Sequence, residues 1–453
     1  MENPKKHQLI SIFQTTTAKM ILVCFLTLML LIPLEFVKDL IFERSQRQEQ
    51  VITETNDKWG KDVFVYGPII KVPYNTVQEN VTYNEKTKET FKEKKWTTNF
   101  AYFFPNELNG KIKAKTKLLH RSIYESVVFN ATMQFEGNFE MPNLSSRNIL
   151  DENIQWDKAT VEIRTTNLQS IKEVVKINIG KNQYLFEPIF SYNQKDSVQS
   201  LETGYVDLKS VFKNQFCDFN FKINYNGSNK ILLVPIGKTT TLNLESNWDS
   251  PSFSGNFLPD SKTIKKTAEG FDANWKILSI NRPFSQHFFE TLPNLADYAF
   301  GVDFLIPVNQ YQQNERAAKY GFLVIGLTFL IFFIIQSMSK IRIHIFQYFM
   351  IGISLIMFYT LLISITEHSS FSTAYLISGF MVVLLITLYS VSILKNKKFP
   401  LFIGLSLSVL YTFLFIIIQL ESYALLVGSI GLFAILALVM YFSRNIEWET
   451  KLE

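Results

Sequence analysis

The sequence predicts a membrane α-helical bundle of six transmembrane helices, with a large β-rich antiparallel domain inserted between helix 1 and helix 2. Three observations predict it: five long apolar blocks in the last third of the chain, one more apolar run near the start, and period-two alternation in the polar middle. The five blocks lie at about 320–338, 346–365, 373–394, 401–418 and 423–442. Each is about long enough to cross a bilayer core. Each is apolar all round the helix rather than striped, which calls for lipid as the surrounding solvent.

The connections between the blocks give the orientation. Lys340 and Arg342 lie in the first, Lys395, Lys397 and Lys398 in the third, and Arg444 follows the last, whereas Glu367 and Glu421 mark the second and fourth. Basic residues collect on the cytoplasmic side, so the first, third and final connections are expected inside. The chain then enters this region from outside, near Lys319. At the other end, Lys5, Lys6 and Lys19 precede an apolar run over 20–37. The run is as long as a bilayer is thick and has no small-x-small cleavage site, so it reads as an uncleaved signal anchor with its basic end in the cytoplasm. Both counts put the middle of the chain outside and both termini inside. The expected organisation is a cytoplasmic N-terminus 1–19, an anchor 20–41, a periplasmic β-rich domain 42–318, a five-helix bundle 319–443 and a cytoplasmic C-terminus 444–453.

Hydrophobic residues make up 47% of the 453 residues and charged ones 19%, an average that hides a polar middle and a lipid-like end. The net charge of +5 follows from the basic inner loops and a Lys-rich external domain, so it is no nucleic-acid footprint. Cys24 in the anchor and Cys217 in the external domain lie in different compartments, and the domain is expected to fold without an internal disulfide.

Within the external domain, Ile123, Val127, Phe129, Ala131, Met133, Phe135 and Phe139 alternate with polar residues, as a long strand with one wet face requires. Phe219, Phe221, Ile223 and Tyr225 repeat the pattern and lead into Asn226-Gly227, which predicts a tight hairpin to a strand at 231–234. Shorter alternations at 63–65, 161–163, 175–179, 242–244 and 271–277 extend the series. Residues 75–95 read as an exposed hairpin or loop. No amphipathic helix of useful length stands out, so an antiparallel sandwich or large curved sheet is expected.

The chain has five histidines, and only His120 and His287 belong to the external domain. No His-Glu-x-x-His, paired Cys-x-x-Cys, Gly-x-Ser-x-Gly or phosphate-cradling Gly loop occurs. His120, His287 and Cys217 have no spacing that marks a zinc site. No catalytic residue, metal or cofactor is therefore assigned. The candidate positions are in the membrane region. Glu367, His368, Gln419 and Glu421, with Tyr375 and Tyr423 nearby, fall at the outer helix ends and form a candidate polar cluster. The plainer reading is that they anchor helix ends in interfacial water. At the inner side Gln336, Arg342, His344 and Gln347, followed by Tyr348, make a comparable and more exposed set. In the last helix Ala424, Gly428 and Gly431 are small residues spaced for close helix packing.

The junction Phe300-Gly301-Val302, Pro307-Val308-Asn309-Gln310-Tyr311 and Arg316-Ala317-Ala318-Lys319-Tyr320 resembles the corresponding run of the CreD family of bacterial inner-membrane proteins. So do Arg342-Ile343-His344, Gln347-Tyr348, Phe358-Tyr359, Ser364 with Glu367-His368, Ala374-Tyr375-Leu376, and Tyr423-Ala424-Leu425-Leu426 with Gly428-Ser429. Arg121-Ser122-Ile123-Tyr124 and Phe271-Asp272-Ala273-Asn274-Trp275, with Arg282, are similar to the family's external motifs. The sequence departs from that pattern at Ile345, where the family commonly has Pro, at Asn309 and Ser422, where it has Asp, and at Gln336, where it often has Glu. The resemblance implies a role in cell-envelope integrity and stress response, tied to the CreBC two-component system and to colicin tolerance. It implies no catalytic activity.

The expectation is a non-enzymatic envelope protein whose external domain binds or braces a periplasmic protein, a cell-wall component or a second copy of the chain. Its helices meet membrane lipid. A small-solute or lipid transporter would need the outer polar cluster to continue into a cavity. A periplasmic enzyme would need acids, or His120 close to His287 or Cys217, to converge in a cleft.

Overall fold

A computed structural model of the protein describes residues 16–84, 89–144, 147, 149–189, 198–264, 270–306, 310–339, 343–394, 398–420 and 423–444. The chain falls into two compact units, Met1–Gln50 with Val308–Glu453, and Val51–Pro307.

The first unit is helical. Helix α1 spans Thr16–Trp59, and α2 to α7 span Gln310–Lys319, Gly321–Ser339, Ile345–Thr366, Phe371–Ile393, Lys398–Gln419 and Ala424–Ser443. Among the described residues α1 and α4 to α7 are long and apolar enough to cross a membrane, and α2 with α3, bent by 40°, makes a sixth span if taken as one. Although α1 is apolar all round in its first half, its faces differ in what they meet. Leu26, Leu30, Leu34, Val37 and Ile41 are buried, while Ile21, Phe25, Leu28, Ile32 and Phe36 are exposed. Glycines let neighbours approach: the Leu34 side chain lies over Gly321 and the Leu30 side chain over Gly352. The Phe413 ring of α6 likewise lies over Gly431 of α7.

Two helical stretches differ from the β-rich expectation for 42–318. Helix α1 does not end near residue 41 but continues to Trp59. Residues 42–59 contain neither Gly nor Pro and are rich in Glu, Gln and Arg, which favour helix on a solvated stretch where apolar periodicity gives no signal. Gly60 ends it, at φ +153, with its N–H on the Asn56 carbonyl at 2.8 Å. The second is α2, which buries Tyr311, Asn314, Ala317 and Ala318 on one face.

In the second unit the strands are β1 Val63–Asn84, β2 Glu89–Phe103, β3 Glu107–Arg121, β4 Tyr124–Glu140, β5 Thr160–Thr165, β6 Lys176–Ile179, β7 Asn182–Ile189 and β8 Gln199–Thr203. They continue with β9 Phe216–Ser228, β10 Lys230–Leu233, β11 Thr239–Ser246, β12 Pro251–Gly255, β13 Ser261–Ile264, β14 Phe271–Leu278, β15 His287–Phe289 and β16 Phe300–Phe304. They form one sheet in the order β12-β16-β10-β1-β5-β8-β7-β6-β9-β4-β3-β11-β14-β13, with β2 also on β1 and β15 on β2. Pairs are antiparallel except β1 with β10 and β3 with β11. The expected hairpin at 75–95 is the β1–β2 ribbon, whose turn lies outside the described residues.

The sheet bends back on itself around a shared core. Across it the Phe304 ring of β16 meets Phe129 of β4 at 5.1 Å, and Phe300 meets Trp275 of β14 at 5.6 Å. The buried Tyr225 hydroxyl of β9 bonds Thr165 of β5 at 2.8 Å. The odd-numbered apolar residues of β4 face inward, as their alternation requires.

The hairpin expected at Asn226-Gly227 is not formed. Both residues lie within β9, paired with Asn130 and Phe129 of β4, and the chain turns at Asn229, φ +57, into β10, which pairs with β1 instead. Glycine serves here for space: a Cβ on Gly227 would lie 2.4 Å from the Phe129 ring. Gly227→Val should therefore destabilise the unit by about 1–3 kcal/mol through overpacking, measured by chemical unfolding followed by near-UV circular dichroism.

Candidate functional site

The structure divides the outer cluster among separate contacts. Glu367 is the C-cap of α4, and its carboxylate lies 3.6 Å from the Arg44 guanidinium of α1. Gln419 donates to the Ser372 hydroxyl at 3.2 Å. Tyr375 is buried, and its hydroxyl donates to the Tyr411 carbonyl at 2.9 Å. His368 and Tyr423 are exposed, and Glu421 lies outside the described residues. The last turn of α4 leaves carbonyls without helical partners. With its amide nitrogen toward them, Gln310 of α2 donates to the carbonyls of Thr366 at 3.1 Å and Ser369 at 3.2 Å.

In the set expected at the inner side, the His344-x-x-Gln347 pattern is a helix start. The His344 imidazole accepts from the Phe346 N–H at 3.2 Å, and the Gln347 side chain accepts from the His344 N–H at 2.8 Å, a reciprocal cap of α4. Gln336 was expected in an exposed set and is buried. It accepts from the hydroxyl of buried Tyr348 at 2.8 Å, where Phe329 and Phe332 meet the tyrosine ring edge-on. Arg342 lies outside the described residues, as does Asn309 of the junction run. Of the remaining junction residues, Tyr311 is buried, Arg316 is exposed and Lys319 pairs with Glu315 at 2.7 Å. Tyr320 stands at the bend, its carbonyl accepting from Leu323 and Val324.

Four further positions, of which the sequence reading named only Tyr359, share one property. Asn314 Oδ1, the Tyr359 and Tyr411 hydroxyls and the Ser378 hydroxyl are buried without a hydrogen-bond partner among the described residues, one each on α2, α4, α6 and α5. Phe358 links two of them, its ring 4.9 Å from Tyr359 and 4.7 Å from Tyr411. Asn314 lies in the polar run before the first apolar block, and Tyr359, Ser378 and Tyr411 share their helices with other polar residues, so the sequence did not single them out.

In the second unit the sequence reading missed a buried ionic row. Glu162 of β5 and Glu202 of β8 stand directly opposite each other, and each has its own cation. Arg164 donates to Glu162 at 2.7 Å, with Ser200 at 2.8 Å on the same oxygen, while Lys71 reaches Glu202 at 3.1 Å. Thr160 also bonds Glu202. Tyr102 stands opposite Lys71, and burial, with Glu162 and Glu202 nearby, pushes its hydroxyl up to about 12. Lys71, Thr160 and Glu202 line a cleft of about 340 Å³ together with Phe100, Gln155, Lys158 and the exposed Tyr205. The signal was Thr160-Val-Glu162-Ile-Arg164, three polar residues on one face of a strand whose other face is apolar.

The external motif residues serve packing. Arg282 is buried and donates to the carbonyls of Phe284 at 2.9 Å and Ile236 at 3.0 Å, and burial lowers its guanidinium to about 10. Asn243, Asp272 and Asn274 bond one another across β11 and β14. Arg121 pairs with Glu54 at 2.9 Å, and Ser122 takes the turn at φ +59. Cys217 is a free, buried thiol that burial and Asp218 push upward, and Cys24 is free and exposed. His120 is exposed beside Glu125, and His287 packs on Phe103 and Phe289. Among the described residues no three His, Cys, Asp or Glu side chains are placed to hold a metal.

Lys71→Met leaves the Glu202 carboxylate buried beside Glu162. It should destabilise the unit by about 2–4 kcal/mol, somewhat below the full value for a buried pair because Lys71 is partly exposed. Lys71→Met with Glu202→Met should lose less than the single variant, since no charge is stranded. Chemical unfolding of the three proteins checks both.

A family model described as inner membrane protein CreD matches residues 15–449. The inner membrane protein CreD of Escherichia coli (strain K12) is 27% identical over 431 residues, covering 93% of this chain and 91% of that protein. The apolar helices agree with a multi-pass protein of the inner membrane. With a match over nearly its whole length, the chain belongs to the CreD family of inner membrane proteins.

Proposed function

We propose that the protein is a non-enzymatic component of envelope integrity whose β unit faces the periplasm, where it binds or braces a partner, with both termini in the cytoplasm. The orientation rests on the charges at the helix ends: basic residues before α1, between α3 and α4, between α5 and α6 and after α7. The observation that carries the binding role is the 340 Å³ cleft lined by the Lys71–Glu202 pair, one end of the ionic row. The charged groups of the row already satisfy one another, Lys71 with Glu202 at the cleft and Arg164 with Glu162 beside it, an arrangement that fixes the shape of a surface rather than presenting a free base or nucleophile. The relative from Escherichia coli carries an inner-membrane name, which supports the location.

A second reading, passage of a small solute, is favoured by the four unpartnered polar atoms among α2, α4, α5 and α6, since buried polar groups in hydrocarbon call for water or a solute.

Two measurements test the proposal. Tyr205→Cys should react with a membrane-impermeant maleimide in cells with an opened outer membrane, and His344→Cys only after the inner membrane is permeabilised. The reverse pattern overturns the orientation. A photo-crosslinking amino acid at Tyr205 or His368, used in cells under envelope stress, should capture a periplasmic protein or cell-wall material. Capture of lipid and of the chain itself alone overturns the partner role and favours the solute reading.

A further inference from the structure

A groove of about 660 Å³ lies across β3, β4, β9 and β6. The strand register builds its wall from two rungs. One places Lys111 opposite Gln134, Gln134 opposite Lys222, and Lys222 opposite Lys176. The other places Asn109, Glu136, Asn220 and Asn178 in line, with the Asn178 amide donating to Asn220 at 2.8 Å and accepting from Gln183 at 3.0 Å.

The first rung is unfavourable in isolation. Lysines directly opposite in an antiparallel pair have Cβ atoms about 4.5–5.5 Å apart and repel. Among the described residues, Lys111, Lys176 and Lys222 have no carboxylate within ion-pair distance, although Glu136 and Glu173 also line the groove. An anionic group seated between Lys176 and Lys222 converts this repulsion into two charge-assisted hydrogen bonds. Around that seat, the amides of Asn109, Gln134, Asn178 and Asn220 offer donors and acceptors together, and Glu136 and Glu173 offer acceptors. That mixture suits the hydroxyls of a sugar. A protein partner would instead need apolar anchors, and Val174 is the exposed apolar side chain that this lining provides.

We propose that this groove binds a saccharide carrying a carboxylate or phosphate, with Lys176 and Lys222 on the anionic group and the amide rung on the sugar hydroxyls. The inference rests on the reading that the unit faces the periplasm and takes a partner there; it names the chemistry of one partner.

The test uses the full chain in nanodiscs with four probes: trigalacturonate for the carboxylate, maltotriose bearing a phosphate, uncharged chitotetraose, and decaglutamate as an acidic peptide. Calorimetry and saturation-transfer NMR should show at least one anionic saccharide binding, more weakly as salt rises, and more tightly than chitotetraose. The probe that binds identifies the anion. Lys176→Gln with Lys222→Gln should weaken that binding by about tenfold or more while leaving the melting temperature unchanged or raised, because the repulsion is gone. Lys213→Gln with Lys238→Gln, exposed lysines elsewhere on the unit, should leave binding intact. Equal loss in that control, no binding of either anionic saccharide, or decaglutamate binding as well as the saccharides would overturn the proposal. If neither saccharide binds while a periplasmic protein is captured in cells, this inference falls and the partner role stands. If Tyr205→Cys is labelled only after the inner membrane is permeabilised, the partner role itself falls, whatever the purified chain binds.

Discussion

The strands β3, β4, β9, β11 and β14 each have one apolar face, and a single sheet of such strands has only itself to cover that face. The bend that brings β16 and β12 against β4 and β14 follows from this requirement. Burial of the aliphatic and aromatic side chains of the shared core stabilises the bend. The same bend directs the opposite, polar face of β3, β4, β9 and β6 outward, where the amides and lysines line up in rungs. Core and surface are two faces of one register, and a one-residue slip would exchange them.

Both units bury polar groups, and each leaves some atoms unpartnered among the described residues, Asn224, Ser228 and the Arg282 Nε in the β unit included. Between β strands, buried charges come with partners: Glu162 has Arg164 and Ser200, and Glu202 has Lys71 and Thr160. In the helical unit the backbone satisfies itself, and the side chains divide. Tyr348 and Tyr375 have acceptors within hydrogen-bond reach, whereas Tyr359, Tyr411, Ser378 and Asn314 each retain an unpartnered oxygen. An unpartnered oxygen surrounded by Phe and Leu costs more than the same oxygen at an aqueous surface. These four positions are therefore where water or a solute has most to gain by entering.

The candidate residues read from the sequence were chosen for residue type and position along the chain, and most have structural roles once their partners are seen. His344 and Gln347 start α4, Glu367 ends it and meets Arg44, and Tyr375 closes on a carbonyl of α6. Arg44 was not recognisable as a partner because it lies more than 300 residues away in a stretch read as the start of a β domain. Lys71, Glu162 and Glu202 were illegible for a related reason: their meeting depends on the order β1-β5-β8, and strand alternation carries no information about which strands are neighbours.

The sequence by itself determined what local physics determines. Apolar length set the membrane spans, and alternation located β4, β5, β9, β11 and β14 with their inward residues. It misread Asn226-Gly227 as a turn because the dipeptide is indifferent to whether glycine supplies a positive φ or merely room. The Phe129 ring of β4, remote in sequence, decides for room. It left residues 42–59 without a helix because α1 is helical there through propensity and a terminal glycine, not an apolar stripe. Only the tertiary structure decided the parallel partners of β1 and β3, the opposed glutamates and the opposed lysines. Each of these depends on long-range pairing, whose energy resides in contacts between segments and not in the pattern of any one of them.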